Sequence, residues 1–334
     1  MKKELLQYFY QEPSQFFSGE KLSRRFHCTR ATIWKTIEEL RKEGYQIEAV
    51  PNRGYRLLST PDRLYPHEIQ ARLTTAWAGR HIQYHSRIPS TQLKAHEMAK
   101  GGAEEGTLVI AEEQTGGKGR LGRPWHSPEG TGIWMSLILR PKLPLEQLPR
   151  ITLVTAVAIV DAIRHELRRH AHPLPPETIR IKWPNDVYVV LNPKERKKVC
   201  GILTEVNAEI DRVNYCILGI GINVNQKAQD FPEELRHKAT SLALSSGAPW
   251  NRVKLVTAFL ARFETLYETF QQHGFQAIKS LWEERAFPIG TPIQVHIQDQ
   301  LVSGTYQGIT EQGALLFGHP NGQLEMIHSG DVLV

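Results

Sequence analysis

The sequence has few cysteines and no long apolar run. Its 334 residues include three cysteines, Cys28, Cys200 and Cys216. An odd number without CxxC spacing argues against a secreted disulfide framework and against a cysteine-rich zinc site. The longest strongly apolar stretch, residues 151–160, is about half of the ~20 residues that a membrane-spanning helix needs. No apolar signal core follows the Met-Lys-Lys start. We therefore expect a cytoplasmic protein that does not associate with membranes.

The usual patterns of covalent catalysis and of protein-bound metal are also missing. The sequence contains no GxSxG elbow and no cysteine–histidine pair that suggests a nucleophile. His165, His170 and His172 do not share one helical face at i, i+4 spacing and lack acidic partners, so they do not indicate a zinc site. We expect no metal bound by protein ligands alone.

Positive charge is in modest excess and is concentrated near the N-terminus. The chain has 41 Lys and Arg against 35 Asp and Glu, a formal net charge of +6. Residues 1–60 alone contain 11 basic and 7 acidic residues. The total length is that of two or three domains. A basic N-terminal module on a nearly neutral body suggests a polyanionic partner for that module.

The N-terminal residues 1–60 show the element order of a winged helix-turn-helix. Three short helices and a hairpin are predicted, over residues 2–10, 19–26, 30–43, 46–50 and 55–58. Ser18 and Thr29 can cap the second and third helices. In such a module the third helix enters the major groove and the hairpin touches phosphate. The residues expected to contact DNA are Thr29, Arg30, Thr32, Lys35 and Arg53. The alternative is a small helical interaction module whose charges are solvated.

The rest of the chain predicts two further domains. Residues 64–285 mix apolar strands with amphipathic helices, and residues 286–334 contain short, closely spaced strands with glycine turns, as in a small all-β barrel. The whole chain is therefore predicted to be an α+β protein. Its longer central elements are expected over residues 107–112, 132–139, 153–169, 179–183, 199–206, 215–224 and 253–270.

A glycine-rich cationic loop follows the first of these strands. The sequence GKGRLG (residues 117–122) matches the dinucleotide-binding spacing GxGxxG, but Pro124 and Pro128 prevent the helix that such a fold requires. Glycines let the backbone approach an anion, and the interleaved cations can neutralise it. The loop thus favours anion binding over a plain surface loop. The candidate residues are Gly117, Lys118, Gly119, Arg120 and Arg123.

Three other segments place polar or flexible residues beside predicted elements. The sequence KWPND (residues 182–186) follows an apolar strand, where a held lysine can act as a fixed charge for a carboxylate or phosphate. Ser90-Thr91-Gln92 precedes a helical stretch. GIGINVN (residues 219–225) is an apolar strand with two glycines, which often mark the close approach of a ligand or of backbone. Each also has a structural interpretation, as a strand-end turn, a helix cap or a packed strand.

Together these motifs resemble those of the biotin protein ligases. The resemblance rests on Ser90-Thr91, Gln114, GKGRLGR, KWPND and GIGIN, and it covers almost the whole chain in the same three-part order. With the winged module in front, the chain is similar to the bifunctional members, which are also biotin-operon repressors. The family implies a mixed α/β catalytic domain like that of class II synthetases and a C-terminal SH3-like barrel.

The resemblance implies an ATP-dependent reaction in two steps. Biotin carboxylate attacks the α-phosphate of ATP, which is accompanied by Mg²⁺, and a lysine of the biotin carboxyl carrier protein of acetyl-CoA carboxylase then receives biotin from biotinyl-5′-AMP. By similarity, Lys182 and Arg120 would be catalytic. The biotin-binding set would be Ser90, Thr91, Gln92, Gln114, Lys118, Gly119, Arg120 and Lys182. The nucleotide-binding set would be Gly117, Lys118, Gly119, Arg120, Arg123, Asn185 and Asp186.

The loop departs from the family pattern at Lys118, where arginine is common. The charge is kept but bidentate geometry is lost, so we assign the clamp to Arg120. Asp186 is a hypothesis for the proton acceptor. The resemblance also implies that biotinyl-AMP is a corepressor that promotes a homodimer on palindromic operator DNA. Two other functions stay open: a regulator that senses a small acid without chemistry, and a lipoate-type protein ligase.

Overall fold

The chain divides into two compact units. The computed structural model describes residues 1–169, 173–209, 212–297 and 300–334. The first unit is Met1–Leu73 and the second is Thr74–Val334. The narrower domain boundaries expected near residues 60 and 286 stay predictions.

The first unit consists of short helices and a hairpin in the order predicted for residues 1–60. Its elements are α1 (Lys2–Gln11), α2 (Gly19–Arg25), α3 (Arg30–Lys42), β1 (Gln46–Val50), β2 (Gly54–Ser59) and α4 (Pro66–Arg72). Both predicted caps are present: the Ser18 hydroxyl accepts a hydrogen bond from the backbone N–H of Lys21, and the Thr29 hydroxyl accepts one from Thr32. These bonds satisfy donors that a helix start leaves free.

One face of α3 lies at the centre of the first unit's core. Ile37 and Leu40 are fully buried and pack with apolar side chains of α1 and β1. The sequence did not predict α4, whose buried Glu68 accepts hydrogen bonds from the hydroxyls of Tyr10 (2.6 Å) and Tyr45 (2.9 Å). Because a buried carboxylate needs such partners, Glu68 ties α4 to α1 and to the start of the hairpin.

A seven-stranded sheet forms the framework of the second unit. Its strands are β3 (Ile82–Ile88), β4 (Leu108–Gln114), β5 (Gly132–Leu139), β6 (Ile179–Lys182), β7 (Asp186–Asn192), β8 (Glu195–Ala208) and β9 (Val213–Asn223). They are ordered β3-β4-β5-β9-β8-β7-β6. Only β3 and β4 pair in parallel, and the other neighbours are antiparallel. This topology differs from the parallel sheet of dinucleotide-binding folds.

Helices cover this sheet and complete the core of the second unit. They are α5 (Thr91–Lys100), α6 (Pro149–Arg169), α7 (Leu242–Ser246), α8 (Arg252–His273) and α9 (Gln276–Arg285). α5 packs on β4, β5 and β9, whereas α6 packs on β6, β7 and β8 and also against α8 and α9. α6 is buried along most of its length because it has neighbours on several sides. No helix of the described residues has both the length and the apolar character needed to cross a bilayer.

The end of the chain forms a separate five-stranded antiparallel sheet. Its strands are β10 (Pro292–Ile297), β11 (Gln300–Ile309), β12 (Leu315–Gly318), β13 (Leu324–Ile327) and β14 (Val332–Leu333). Their order is β13-β12-β11-β10-β14. The short, closely spaced strands expected here are therefore present.

Several central elements differ from the sequence prediction. β3, β7 and α9 were not predicted, and β8 begins at Glu195 rather than at residue 199. β3 mixes polar with apolar residues and is at most half-buried, so its apolar periodicity is weak. Because β7 starts at Asp186, the KWPND motif connects two paired strands instead of ending one strand in a loop.

Candidate active site and nucleic-acid interface

A cavity of about 550 Å³ in the second unit brings the predicted segments together. Eleven of the predicted residues line it: Ser90, Thr91, Gln92, Gln114, Lys118, Gly119, Arg120, Arg123, Lys182, Asn185 and Asp186. Gly117 is buried beneath its own loop, where an added Cβ would lie 2.8 Å from the carbonyl oxygen of Trp125. The volume is that of a site for a small molecule.

The start of α5 supplies a connected set of polar side chains. Ser90 is the N-cap residue of the helix. The hydroxyl of Thr91 lies 3.0 Å from Oε1 of Gln114 and 2.9 Å from Oγ of Ser136, which in turn donates to Oε1 of Gln92 at 3.0 Å. These bonds fix the directions of neighbouring hydroxyl and amide groups. They can therefore recognise a neutral polar head group.

The glycine-rich loop contributes two arginines that are held by an acidic side chain. Nη1 of Arg120 donates to Oδ1 of Asn185 at 3.1 Å. Arg120 and Arg123 lie 3.3 Å and 2.6 Å from the carboxylate of Asp331, which precedes β14. The short turn Arg120–Gly122 is not the start of a long helix. The loop therefore lines the cavity with positively charged side chains and does not form a dinucleotide-binding turn.

Two lysines share one carboxylate inside the cavity. Nζ of Lys198 lies 2.6 Å from Oδ1 of Asp186, and Nζ of Lys182 lies 3.5 Å from Oδ2 of the same group. Lys182 ends β6 and Asp186 begins β7, and the two residues pair across these strands. One carboxylate balances only one of the two ammonium groups, so a net positive charge is available to an anionic ligand.

Burial lowers the pKa of Lys182. The residue is only 9% exposed. Desolvation is the largest cause, the charge of Lys198 lowers the pKa further, and Asp186 acts in the opposite direction. An anion bound in the cavity would favour the charged ammonium and raise this pKa. Lys182 is thus placed where a negative ligand is favoured electrostatically.

A pair of glycines makes room for Trp125 on the sheet. Gly201 of β8 and Gly221 of β9 face each other. A Cβ on Gly221 would lie 2.3 Å from Nε1 of Trp125, and one on Gly201 would lie 3.0 Å from the indole ring. Nζ of Lys198 is 5.2 Å from the centre of that ring. The two GIGIN glycines, Gly219 and Gly221, were expected to mark the close approach of a ligand or of backbone; both line the cavity, and Gly221 also admits the protein's own indole.

Several important cavity residues were not predicted. They include Trp125, Ser136, Lys198 and Asp331. Lys198 lies just outside the strand that the sequence predicted, and the β7–β8 pairing is irregular between Val187 and Tyr188. Such a bulge changes which residues face the same side, so simple alternation could not place Lys198 in the cavity. The position of Lys198 beside a predicted apolar strand was the one feature of the sequence that could have identified it as a cavity residue.

Basic side chains outnumber acidic ones on the cavity wall. The six basic residues are Lys118, Arg120, Arg123, Lys182, Lys198 and Lys238, and the two acidic residues are Asp186 and Asp331. A neutral polar region at α5 and a cationic region at the loop and strands therefore share one space. This arrangement can hold two anionic groups close together while it binds an uncharged polar group nearby.

The part of the chain that the structure describes contains no candidate metal-binding cluster, and two of its cysteines are buried. There, no group of three or more His, Cys, Asp or Glu side chains could hold a metal ion. Of the histidines considered above, His170 and His172 lie outside the described residues. Burial raises the pKa of the Cys200 and Cys216 thiols, to about 12 for Cys216. Both thiols stay protonated at neutral pH and are poor nucleophiles.

The first unit presents a separate basic surface on α3 and on the hairpin. Arg30 and Lys35 are exposed, and Arg30 forms an ion pair with Glu20 at 3.0 Å. Arg53, in the hairpin turn, lies 4.3 Å from the ring centre of Phe16. The hydroxyls of Thr29 and Thr32 lie 2.9 Å apart at the start of α3. Helix start and hairpin turn can therefore both offer donors to phosphate.

Comparisons with known proteins agree with this architecture. The model of the biotin/lipoate A/B protein ligase family matches residues 84–223, a helix-turn-helix domain matches residues 2–56, and the biotin protein ligase C-terminal domain matches residues 289–334. The chain is 45% identical over 332 residues to the bifunctional ligase/repressor BirA of Bacillus spizizenii, which covers 99% of this chain and 98% of that protein. The chain belongs to the biotin protein ligase family.

Other relatives and a solved structure support the same family membership. The bifunctional ligase/repressor BirA of Escherichia coli is 30% identical over 302 residues, 90% of this chain and 88% of that protein. The biotin protein ligase from Aquifex aeolicus in complex with biotin and ATP matches with a TM-score of 0.61 and 30% identity, over 76% of this chain and 98% of that chain. The predicted family and α+β fold class are confirmed, and the chain is a biotin ligase of the bifunctional ligase/repressor type.

Proposed function

We propose that this protein activates biotin with ATP and transfers it to a lysine of the biotin carboxyl carrier protein of acetyl-CoA carboxylase or of another biotin-dependent carboxylase. In the first step a biotin carboxylate oxygen bonds to the α-phosphorus of ATP and pyrophosphate leaves. In the second step the lysine nitrogen attacks the biotinyl carbonyl carbon, AMP leaves and the amine loses a proton. The observation that carries this proposal is the pair of lysines, Lys182 and Lys198, beside Arg120 in one cavity.

Charge neutralisation is the main requirement of the first step. Two unit charges of like sign at about 4 Å repel by about 4 kcal/mol at an effective dielectric constant of about 20. A carboxylate must nevertheless approach a triphosphate. Fixed cations lower this cost without having to reorganise during the reaction, and holding the two reactants together supplies the alignment for in-line attack.

Each side of the cavity has a role in this proposal. The groups at the start of α5, with Gln114, would hold the neutral ureido head of biotin. Lys182 and Lys198 would meet the carboxylate and the α-phosphate, while Arg120 would leave Asp331 to contact phosphate. Lys118 is exposed and would close over the adenylate with the loop.

Asp186 is better suited to positioning the lysines than to accepting a proton. Its two oxygens face Lys198 and Lys182 at 2.6 Å and 3.5 Å, so both are already directed to ammonium groups. Transfer from preformed biotinyl-AMP to the carrier by an Asp186→Asn variant tests this assignment. An unchanged transfer rate would exclude the alternative role as base.

Magnesium would enter with the nucleotide and be held mainly by its phosphates. Mg²⁺ commonly binds through one or two carboxylates and substrate phosphates and keeps several waters. Here the cavity carboxylates of Asp186 and Asp331 are engaged with lysines and arginines. The ion would supply charge neutralisation on the triphosphate, and the protein residues named above would do the positioning.

The decisive experiment incubates the full chain with biotin, MgATP and a biotin carboxyl carrier domain. Intact mass should show one added biotinyl group on the carrier, and pyrophosphate should appear before carrier is added. Lipoate offered in competition with labelled biotin separates a lipoate-type ligase from a biotin ligase. A protein that binds biotin without releasing pyrophosphate would be a sensor only, and the proposed catalysis would be wrong.

We also propose that the first unit binds operator DNA and that biotinyl-AMP is the corepressor. The support is the exposed basic surface of α3 and the hairpin and the full-length similarity to a protein named a ligase/repressor. A ligand can promote DNA binding only if it favours the competent state, which we propose to be a homodimer with two recognition helices. We propose that this activity belongs to the cytoplasm, where ATP and DNA are both available.

A gel shift and a sedimentation measurement test the repressor part. Biotin with MgATP should increase both the dimer fraction and the affinity for DNA carrying a palindromic site, whereas biotin alone should have a smaller effect. If DNA affinity does not respond to the adenylate, the corepressor role is wrong.

A further inference from the structure

Trp34 is an exposed aromatic residue of α3, and the role that we infer for it rests on the proposed binding of DNA by the first unit. Trp34 is 58% exposed, whereas the other six tryptophans of the chain are buried or half-buried. Leaving a large indole in water forgoes the free energy that its burial would give. Packing in the core therefore does not explain why α3 carries an exposed tryptophan at this position.

The position of Trp34 on α3 is on the side away from the core. The buried side of the helix is formed by Ile33, Thr36, Ile37 and Leu40. Trp34 lies next to exposed Lys35, and exposed Ala31 is one turn earlier. Helical side chains three residues apart share a face, so Trp34 and Ala31 lie on the same exposed side of α3. The small Ala31 side chain can do little to cover a neighbouring ring.

Some other aromatic rings of the first unit lie against cations, unlike that of Trp34. Arg53 and Arg56 lie 4.3 Å and 4.5 Å from the ring centre of Phe16, and Arg25 lies 5.0 Å from that of Tyr8. Among the described residues, none makes a hydrogen bond, a ring contact or a cation–π contact with the indole side chain of Trp34. Its neighbour Arg30 is directed to Glu20 instead, at 3.0 Å. The indole face is therefore free for a partner.

An exposed apolar ring on this face of α3 is suited to contact an apolar group of duplex DNA. Among the groups on the floor of the major groove, the thymine methyl is the apolar one, and apolar side chains contact it. Lys35 is a point charge that suits phosphate without reading sequence. We propose that Trp34 is a specificity-determining residue, which contacts the methyl group of a thymine in the major groove.

The test begins with a duplex selected from a random-sequence pool by the wild-type full chain loaded with biotin and MgATP. Each thymine of the selected site is then replaced by deoxyuridine, which removes only the methyl group. At the contacted thymine we expect about a fourfold loss of wild-type affinity, the value for one buried methyl group. Trp34→Ala should bind the thymine and deoxyuridine duplexes equally, and Trp34→Phe should keep part of the difference.

Control measurements separate this role from a general one. Lys35→Ala should weaken binding to all duplexes and keep the methyl effect, because it loses only a sequence-independent charge. Far-ultraviolet circular dichroism and the melting temperature of Trp34→Ala should match the wild type, since the side chain is exposed. If Trp34→Ala keeps the methyl effect, or if the wild type shows none at any thymine, the proposed contact is wrong. If the wild type selects no duplex at all, the proposed DNA-binding function itself fails.

Discussion

The cavity of the second unit and the α3–hairpin surface of the first unit both carry positive charge, but they hold it differently. In the cavity, Lys182 is almost fully buried and shares the carboxylate of Asp186 with Lys198. On the surface, Arg30 and Lys35 are exposed, and the ion pair of Arg30 with Glu20 is open to solvent. Solvent and salt screen the interactions of exposed charges, so each exposed charge contributes a small and nearly independent amount. The interaction energy of a buried charge depends strongly on its geometry and on each of its partners.

The largest effect is expected from the removal of a buried cation. Lys182→Ala should lower the rate of biotinyl-AMP formation by about 10²–10³-fold, the usual cost of losing one preorganised group that stabilises the transition state. Pyrophosphate release measures the rate. Lys197→Ala is the matched control, because Lys197 belongs to the same sheet but does not line the cavity. Equal effects of the two variants would contradict the role of buried charge.

A second test changes only the packing of the cavity. In Gly221→Ala the new Cβ would meet the indole of Trp125 at 2.3 Å, and overpacking typically costs about 1–3 kcal/mol. We expect a lower melting temperature and weaker binding of biotin and ATP by calorimetry. Gly101→Ala should be tolerated, because its Cβ would have no neighbour nearer than 3.4 Å. Unchanged ligand affinity in Gly221→Ala would show that Trp125 does not shape the site.

A third test uses pH to distinguish the two kinds of cation. Burial lowers the pKa of Lys182 below the ordinary lysine value of 10.5. The required ammonium is present at low pH and is lost as pH rises through this lowered pKa, so kcat/KM for adenylation should fall at a lower pH than an ordinary lysine would allow. Lys182→Arg should move this fall to higher pH, because arginine stays charged. If the fall of kcat/KM at alkaline pH does not move in Lys182→Arg, a group other than Lys182 causes it.

The smallest expected effect concerns a single exposed charge. Lys35→Ala should weaken DNA binding only several-fold and reduce the slope of log affinity against log salt by about 1. Lys35→Arg should restore both, since a phosphate contact needs charge more than one shape. Binding measured at several salt concentrations gives the slope. A loss that is confined to one DNA sequence would instead mean that Lys35 contacts a base.

The two regions also differed in how far the sequence could predict them. In the first unit, the caps at Ser18 and Thr29 are local signals, and the predicted helices and strands begin and end within a residue or two of the observed ones. α4 was missed because seven residues that include the buried Glu68 give little apolar periodicity. Its place depends on hydrogen bonds to distant tyrosines.

The candidate site depended more strongly on long-range structure. The GKGRLG and KWPND motifs identified segments that carry charge, and prolines after the loop excluded a dinucleotide-binding helix. Asp331 reaches Arg120 and Arg123 from the far end of the chain, and a register irregularity in the β7–β8 pair accompanies the placement of Lys198 in the cavity. No local pattern encodes either contact.

The amino-acid sequence alone determined the classes of element, the charged segments and the family, because capping, periodicity and motif chemistry act over a few neighbouring residues. The tertiary structure decided which charges share a carboxylate, which glycines accommodate Trp125 and which cations become desolvated. These properties depend on distances between strands that come together only after folding. A carboxylate or an indole interacts strongly only with groups within a few ångströms, and here those groups are distant in the sequence.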